Sequence, residues 1–221
     1  MTFLVFLISF FVEVDLLHLP TQLSEFIDPK GVALLMWDMQ KGLAGKASNT
    51  DQVKANAQRL LAAAAPLGIP VFWSQHILPS LEHTTGPFLL FLMKKQKVAH
   101  ASLLKETMKL GGEDAQFLDG LSPEPQHIVI PKSQPSLFID TPFDLRLKTL
   151  GIKTLVIAGV ATDIGVEFNC RHAAALGYFT VVAEDACGSY TQAAHDRSID
   201  FLRSWTTPVV STEEIVKVWS F

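Results

Sequence analysis

The sequence of 221 residues is poor in cysteine, with only Cys170 and Cys187. Two thiols cannot build a disulfide framework, and these two lack the C-x-x-C or Cys/His spacing of zinc sites. We therefore expect a protein of a reducing, cytoplasmic compartment, whose fold depends on its apolar core rather than on cross-links.

Concentrated positive charge is also missing. The 18 Lys and Arg residues are scattered along the chain and are outnumbered by 22 Asp and Glu residues, for a formal net charge of -4. Nucleic acids and anionic membranes select proteins with a basic stripe or patch. We expect neither partner, and a small-molecule substrate fits the composition better.

The one compositional anomaly is an apolar run at residues 2–12, TFLVFLISFFV. No Lys or Arg precedes it, no small-x-small cleavage site follows it, and it is shorter than the ~20 residues that a membrane-spanning helix needs. We expect residues 1–20 to be an extension that packs on the domain or on another subunit, without a stable membrane span. A misassigned start codon and a targeting or membrane-associating segment are the alternatives.

Residues 21–221 are predicted to form one domain. Apolar residues make up 48% of the chain and charged residues 18%, which at this length allows a substantial core. Short β-branched apolar runs alternate with longer amphipathic stretches, a pattern typical of β-α units that feed a parallel sheet covered on both faces. We predict a three-layer α/β/α, Rossmann-like fold with a six-stranded parallel sheet. The strands are expected at residues 32–37, 70–74, 127–130, 154–158, 179–183 and 208–210, and helices at 51–65, 142–150, 163–176 and 192–205.

A long, irregular connection, residues 76–121, separates the second and third predicted strands. It contains several prolines and glycines, and one helix is expected near residues 89–95. Connections of this length usually carry a lid or a subunit contact.

Polar groups stand at four of the predicted strand ends. Asp38 ends the first strand, Gln75 and His76 follow the second, and Lys132 follows the third. The loop at residues 159–165 follows the fourth. Because ligands of open parallel sheets bind beyond the carboxyl ends of the strands, we expect these groups to surround one crevice.

With these residues in place, the sequence resembles the isochorismatase-like hydrolases, a superfamily that includes nicotinamidases, N-carbamoyl amide hydrolases and isochorismatases. The resemblance spans roughly residues 31–205. Its strongest segments are WDMQ at residues 37–40, the stretch from PKSQ to VATD at residues 131–163, and RHAAALGYFTVVAEDAC at residues 171–187. The combination of the aspartate, the lysine and the G-V-A-T-D turn is specific, whereas each motif alone is weak.

The resemblance implies a reaction centre of an aspartate, a lysine and, in most members, a cysteine. By position, the aspartate is Asp38 and the lysine is Lys132, while the cysteine position is Gly165. A non-proline cis peptide is expected between Val160 and Ala161. Glycine offers no nucleophile, so an acyl-enzyme is excluded at this position and a hollow is expected instead. The N–H groups of Ala161 and Gly165 are expected to point at one place, as in an oxyanion hole.

Isochorismatases proper are similar in having glycine at this position, a glutamine after the second strand and the D-M-Q triplet. In them the aspartate is thought to protonate a vinyl-ether carbon before water adds. A neighbouring lysine, however, favours an ionised Asp38, which suits a base that activates water. The acid and base roles both stay open, as do vinyl-ether and amide-type substrates.

Substrate contacts are predicted from Gln75, His76, Ala161 and Phe138. Hydrogen bonding within the loop is the alternative for Gln75, and core packing is the alternative for Phe138. Metal-binding members use an Asp-x-His pair after the second strand, whereas SQHILPSLEH offers only His76 and His83. We therefore expect no metal, and no cofactor is implied either.

The leading hypothesis is a metal- and cofactor-independent hydrolase that acts on a small organic substrate without a covalent enzyme intermediate. One alternative is a family member that has lost catalysis and binds a ligand or partner. Another is an amidase that uses Cys170. That thiol lies five residues after Gly165, ~140° around a helix axis, so we expect it to pack in the core. The resemblance also implies a homo-oligomer, with the apolar N-terminus and the long connection as contact surfaces.

Overall fold

The computed structural model describes residues 19–205 and 207–220. Nearly all of the predicted N-terminal extension therefore lies outside the described residues, and its role stays a prediction, as does the domain boundary at residue 20. Within the described ranges, no helix has the length and apolar character needed to cross a membrane.

Six parallel strands form the central sheet: β1 Val32–Trp37, β2 Val71–His76, β3 Ile128–Lys132, β4 Thr154–Val160, β5 Phe179–Gly188 and β6 Val209–Val210. Their order is β3-β2-β1-β4-β5-β6, and every neighbouring pair is parallel. This confirms the predicted fold class. Across the sheet, the strand numbers fall from β3 to β1 and then rise from β4 to β6, so the order of the strands reverses between β1 and β4. Sheets of this kind bind their ligands at that place.

Helices cover both faces of the sheet: α1 Leu23–Phe26, α2 Thr50–Ala64, α3 Gly86–Gln96, α4 Phe143–Thr149, α5 Glu167–Ala175, α6 Gln192–Ser204 and α7 Thr212–Trp219. The five predicted helices are present with ends shifted by a few residues, whereas α1 and α7 were not predicted. The start of α7 is a capping box, in which Ser211 and Glu214 satisfy each other's backbone N–H groups.

The core has two layers because successive side chains of a strand point to opposite faces. On β1, Leu34 packs in the layer of α2 and α7, whereas Leu35 packs in the layer of α4, α5 and α6. All six residues of β1 are buried, as expected for a parallel strand that is covered on both faces.

Strand β2 is longer than predicted, and this sets the register of the site. It continues past Ser74 to His76, where it pairs with the end of β3. His76 and Lys132 are directly opposite each other in this pairing. Two of the predicted polar groups are therefore neighbours in the sheet.

A π-helical turn, Thr162–Val166, joins β4 to α5 where an α-helix was expected. Three successive N–H groups, with that of Gly165 in the middle, converge on the carbonyl of Ala161 at 2.9–3.3 Å. The expected cis peptide between Val160 and Ala161 is present. π-Helical turns such as Thr162–Val166 are frequent at functional sites.

The long connection folds over the carboxyl ends of the strands. It contains α3 and several short 3-10 turns, and it has a small apolar cluster of its own, formed by Leu78, Leu92, Leu104, Met108 and Ala115. This cluster holds the connection in place as one wall of the cavity described next. Its predicted role as a subunit contact stays a prediction.

Candidate functional site

A cavity of about 520 Å³ lies between the strand ends and the long connection. Asp38, His76, Lys132, Ala161 and Gly165 all line it. The structure therefore brings five of the seven predicted site residues together, at the point where the strand order reverses.

The carboxylate of Asp38 is fixed by two hydrogen bonds. Its Oδ2 accepts from Nζ of Lys132 at 2.6 Å, and its Oδ1 accepts from Oγ of Ser74 at 2.5 Å. The same Oγ accepts the backbone N–H of Asp38 at 2.8 Å, so the serine proton must go to the carboxylate. Asp38 has a φ of 49°, in the left-handed region that aspartate tolerates better than most residues. Because both oxygens accept a hydrogen bond, the geometry is that of an ionised carboxylate.

Lys132 is enclosed on three sides. Its Nζ contacts Asp38, lies 3.2 Å from Nδ1 of His76, and stands 4.0 Å from the ring centroid of Trp37. Burial lowers the pKa of Lys132, and the charge and hydrogen bond of Asp38 oppose this shift. The lysine therefore holds its neighbours in place and supplies positive charge to the cavity.

His76 is neutral at physiological pH. Burial, and then the charge of Lys132, lower the pKa of His76 to about 4, although Asp38 acts in the opposite direction. An ammonium group has no acceptor, so Nδ1 of His76 must accept from Lys132 and the ring proton must lie on Nε2. Among the described residues no group accepts from Nε2, which leaves this N–H as a donor for a ligand in the cavity.

The model of the isochorismatase domain family matches residues 32–214. The chain belongs to the family of isochorismatase-like hydrolases. Its fold is similar to a cysteine hydrolase from Pseudomonas syringae pv. phaseolicola 1448A, at 19% identity and a TM-score of 0.78 over 88% of this chain and 95% of the other. A putative hydrolase of the isochorismatase family from Chromobacterium violaceum ATCC 12472 is 24% identical, with a TM-score of 0.70 over 91% of this chain and 99% of the other. An isochorismatase from Pseudomonas putida KT2440 is 25% identical, with a TM-score of 0.66 over 84% and 90% of the two chains.

In this isochorismatase-like hydrolase, the hollow expected at Gly165 does not exist. A Cβ atom added to Gly165 would lie 1.9 Å from Nε1 and 2.3 Å from Cε2 of Trp37. The indole ring therefore occupies the space that a cysteine side chain would need. The glycine and the tryptophan are complementary in volume, and the sequence prediction of an open hollow was wrong.

The predicted pair of oxyanion-hole donors is also incomplete. The N–H of Gly165 donates to the carbonyl of Ala161 at 2.9 Å, because the helical turn begins at Thr162, one residue before the predicted helix start at residue 163. This donor is thus engaged within the turn. The neutral ring of His76 is left as a side-chain donor at the same cavity.

Two predicted substrate contacts lie outside the cavity. Gln75 and His76 are consecutive residues of β2, so their side chains must point to opposite faces of the sheet. His76 lines the cavity, whereas Gln75 donates to the carbonyl of Ala115 at 3.3 Å. Phe138 packs behind the sheet, with ring centroids 4.9 Å from Phe143 and 5.9 Å from Tyr178. The alternatives given for these residues therefore describe their positions: Gln75 forms a hydrogen bond to the long connection, and Phe138 packs in the core.

Gln40 orders the site without lining it, a role that the sequence analysis missed. Its Oε1 accepts the N–H of His76 at 2.7 Å, and its Nε2 donates to the carbonyls of His76 and Ala115 at 3.1 and 2.8 Å. The side chain is fully buried. It therefore joins the ends of β1 and β2 to the long connection. The place of Gln40 in the D-M-Q triplet was the sequence signal that could have indicated this role.

Asn169 performs the matching task on the other side of the cavity. Its Oδ1 accepts the N–H of Leu137 at 2.9 Å, and its Nδ2 donates to the carbonyls of Gly165 and Pro135 at 2.7 and 3.2 Å. The loop that follows Lys132 is thereby tied to the π-helical turn.

Both cysteines lie in the layer of α4, α5 and α6. Cys170 and Cys187 have no exposed surface, and neither lines the cavity. Burial raises the pKa of both thiols, that of Cys187 to about 12. Cys170 is therefore placed as a core thiol, as its position on the helix predicts, and the structure gives no support to an amidase that uses it.

His76 and His83, the two histidines that the sequence offers to a metal, have different partners. His76 contacts Lys132, whereas Nδ1 of His83 lies 3.1 Å from the hydroxyl of Ser80. Within residues 19–205 and 207–220, no group of three or more His, Cys, Asp or Glu side chains is arranged to hold a metal ion.

Proposed function

We propose that the protein hydrolyses a small organic substrate of the amide type, with Asp38 as the base that activates water and with no covalent enzyme intermediate. The observation that carries this proposal is the hydrogen bonding of Asp38. Its two carboxylate oxygens accept from Lys132 and Ser74, the arrangement expected for an ionised carboxylate. A vinyl-ether mechanism needs Asp38 to deliver a proton to carbon, and a carboxylate held in this way has none to give.

In the proposed reaction, Asp38 takes a proton from water while the water oxygen forms a bond to the carbonyl carbon. The tetrahedral oxyanion is stabilised by the positive charge of Lys132 and by the Nε2–H of His76. The C–N bond then breaks, and the proton held by Asp38 passes to the departing amine. Each step uses a group that the cavity presents, and the thiol of other family members has no part in it.

The experiment is a hydrolysis screen of amides, carbamoyl compounds and vinyl ethers with four proteins. These are the wild type, Asp38→Asn, Lys132→Met, and Asp28→Asn as a control that changes an exposed aspartate. We expect an amide-type compound to be turned over, and Asp38→Asn to lower kcat by about 100-fold or more, as for loss of a general base. The Asp28→Asn control should keep wild-type activity.

Three outcomes would contradict the proposal. Turnover of vinyl ethers alone would assign Asp38 the role of an acid. Unchanged activity in Asp38→Asn would remove it from the mechanism. A folded protein that hydrolyses nothing in the screen would favour a family member that only binds a ligand, an alternative supported by the indole of Trp37 in the nucleophile position.

A further inference from the structure

We propose that the mouth of this cavity binds the carboxylate of a small apolar acid, through Lys95, Lys46 and Tyr190. The inference rests on the proposed function, because it names the chemical class of the substrate for the same site. It comes from charges and contacts that the proposed reaction leaves unused.

The cavity carries an excess of positive charge. Its charged lining residues are four lysines and two aspartates, namely Lys46, Lys95, Lys105, Lys132, Asp38 and Asp114. Asp38 neutralises the buried Lys132. The other three lysines are then balanced by Asp114 alone, and a carboxylate oxygen of Asp114 already accepts the N–H of Met108 at 2.7 Å. The whole chain has a net charge of -4. A positive cavity in a negative protein favours anionic ligands.

Lys95 lines the cavity and has no counter-ion among the described residues. Its Nζ donates to the hydroxyl of Tyr190 at 3.4 Å and stands 4.5 Å from the centroid of that ring. Among the residues that the structure describes, no carboxylate lies within ion-pair distance of Lys95 or Lys46. Burial lowers the pKa of Lys95, and the nearby charge of Lys46 lowers it further. An anion placed between the two ammonium groups would remove this repulsion.

Tyr190 supplies a donor beside Lys95, and it lines the same cavity as Lys46. Burial, and then the charges of Asp38 and Asp163, raise the pKa of Tyr190 to about 12, so its hydroxyl stays protonated. That oxygen accepts from Lys95, which leaves the phenolic proton for a ligand. Two cations and one hydroxyl match the acceptors of a carboxylate.

The cavity lining also includes apolar side chains, which define the body of the ligand. Leu43, Phe88, Phe91 and Leu103 line the cavity, and the ring centroid of Phe91 lies 5.9 Å from Nζ of Lys95. A volume of about 520 Å³ is in the range of small-molecule sites. An apolar or aromatic group that bears one carboxylate satisfies both parts of the cavity.

The test compares the binding of benzoate and of its neutral analogue acetophenone, which has no bond that the proposed reaction could hydrolyse, by isothermal titration calorimetry. We expect the wild type to bind benzoate about 10-fold or more tightly than acetophenone, as for charge-assisted hydrogen bonds. Lys95→Met and Lys46→Met should each reduce this preference, and the double variant should remove it. Lys217→Met removes the same charge from an exposed site on α7 and should keep the preference.

Equal affinity for the two probes, no benzoate binding by the wild type, or an unchanged preference in the double variant would overturn the inference. The readout does not depend on turnover, so it is separate from the test of the proposed function. Benzoate selectivity together with full activity of Asp38→Asn would refute the proposed reaction and leave the carboxylate site standing. Loss of activity in Asp38→Asn together with equal affinity for the probes would do the reverse.

Discussion

Replacement of Gly165 by alanine probes the packing that distinguishes this site. The added Cβ would lie 1.9, 2.3 and 2.6 Å from three atoms of the Trp37 indole, whereas carbon atoms in contact prefer about 3.5 to 4.0 Å. The ring must therefore move by about 1 Å or more, yet it is only 1% exposed and lies in the close-packed core. The φ of Gly165 is not positive, so the clash is the main cost. Overpacking of this kind lowers the free energy of unfolding by about 1 to 3 kcal/mol or more.

The assay is urea denaturation of Gly165→Ala, Trp37→Val and the double variant beside the wild type. Trp37→Val should cost about 3 kcal/mol on its own, because it empties a buried volume. In the double variant the added methyl group has room, so its loss of stability should be smaller than the sum of the two single losses by about 2 kcal/mol. The control is Gly45→Ala, where the new Cβ would meet only Leu118, at 3.5 Å.

Additive losses within about 0.5 kcal/mol would refute the reasoning, since they would mean that the two residues do not share one space. So would a Gly165→Ala variant as stable as the Gly45→Ala control.

Three further predictions concern single side chains. Ser74→Ala removes the hydrogen bond to Oδ1 of Asp38 and should lower kcat by about 10-fold, whereas Ser74→Thr should restore part of the activity. Equal kcat values for Ser74→Ala and the wild type in steady-state assays would contradict the role of the serine. Folding lowers the pKa of His76 from 6.5 to about 4. Between pH 6.5 and 4, the imidazole of His76 is therefore protonated in the unfolded chain but not in the folded protein. The free energy of unfolding should therefore fall by on the order of 3 kcal/mol as the pH drops from 6.5 to 4, and more steeply than in His76→Gln; parallel slopes in denaturation would count against the shift. Iodoacetamide should leave Cys170 and Cys187 unmodified in the native protein by intact-mass analysis, and fast labelling with loss of activity would return a cysteine mechanism to consideration.

Local patterns in the sequence were enough to predict the sheet and much of the site. β1 is a run of apolar residues buried on both faces, and it ends at Asp38. Glycines and prolines mark the ends of several helices, such as α5, which stops before Gly177 with a φ of 90°. Since parallel strands bring their carboxyl ends to one edge, the meeting of Asp38 with Lys132 followed from strand assignment alone.

What could not be predicted depends on contacts between distant parts of the chain. The match between Trp37 and Gly165 is visible only once β1 lies beside the turn that follows β4. Gln75 was misplaced for a smaller reason: the predicted strand stopped at Ser74, so the alternation that turns Gln75 away from His76 was not applied. The two hydrogen bonds of Ser74 likewise need the register of β2 against β1.

The central claim is that water, activated by Asp38, attacks the substrate directly. The most direct measurement is the intact mass of the protein after rapid acid quench during steady-state turnover of the best compound from the hydrolysis screen. The account predicts only the mass of the unmodified chain at every time point. A second species, heavier by the acyl group and formed at the rate of the first turnover, would contradict it.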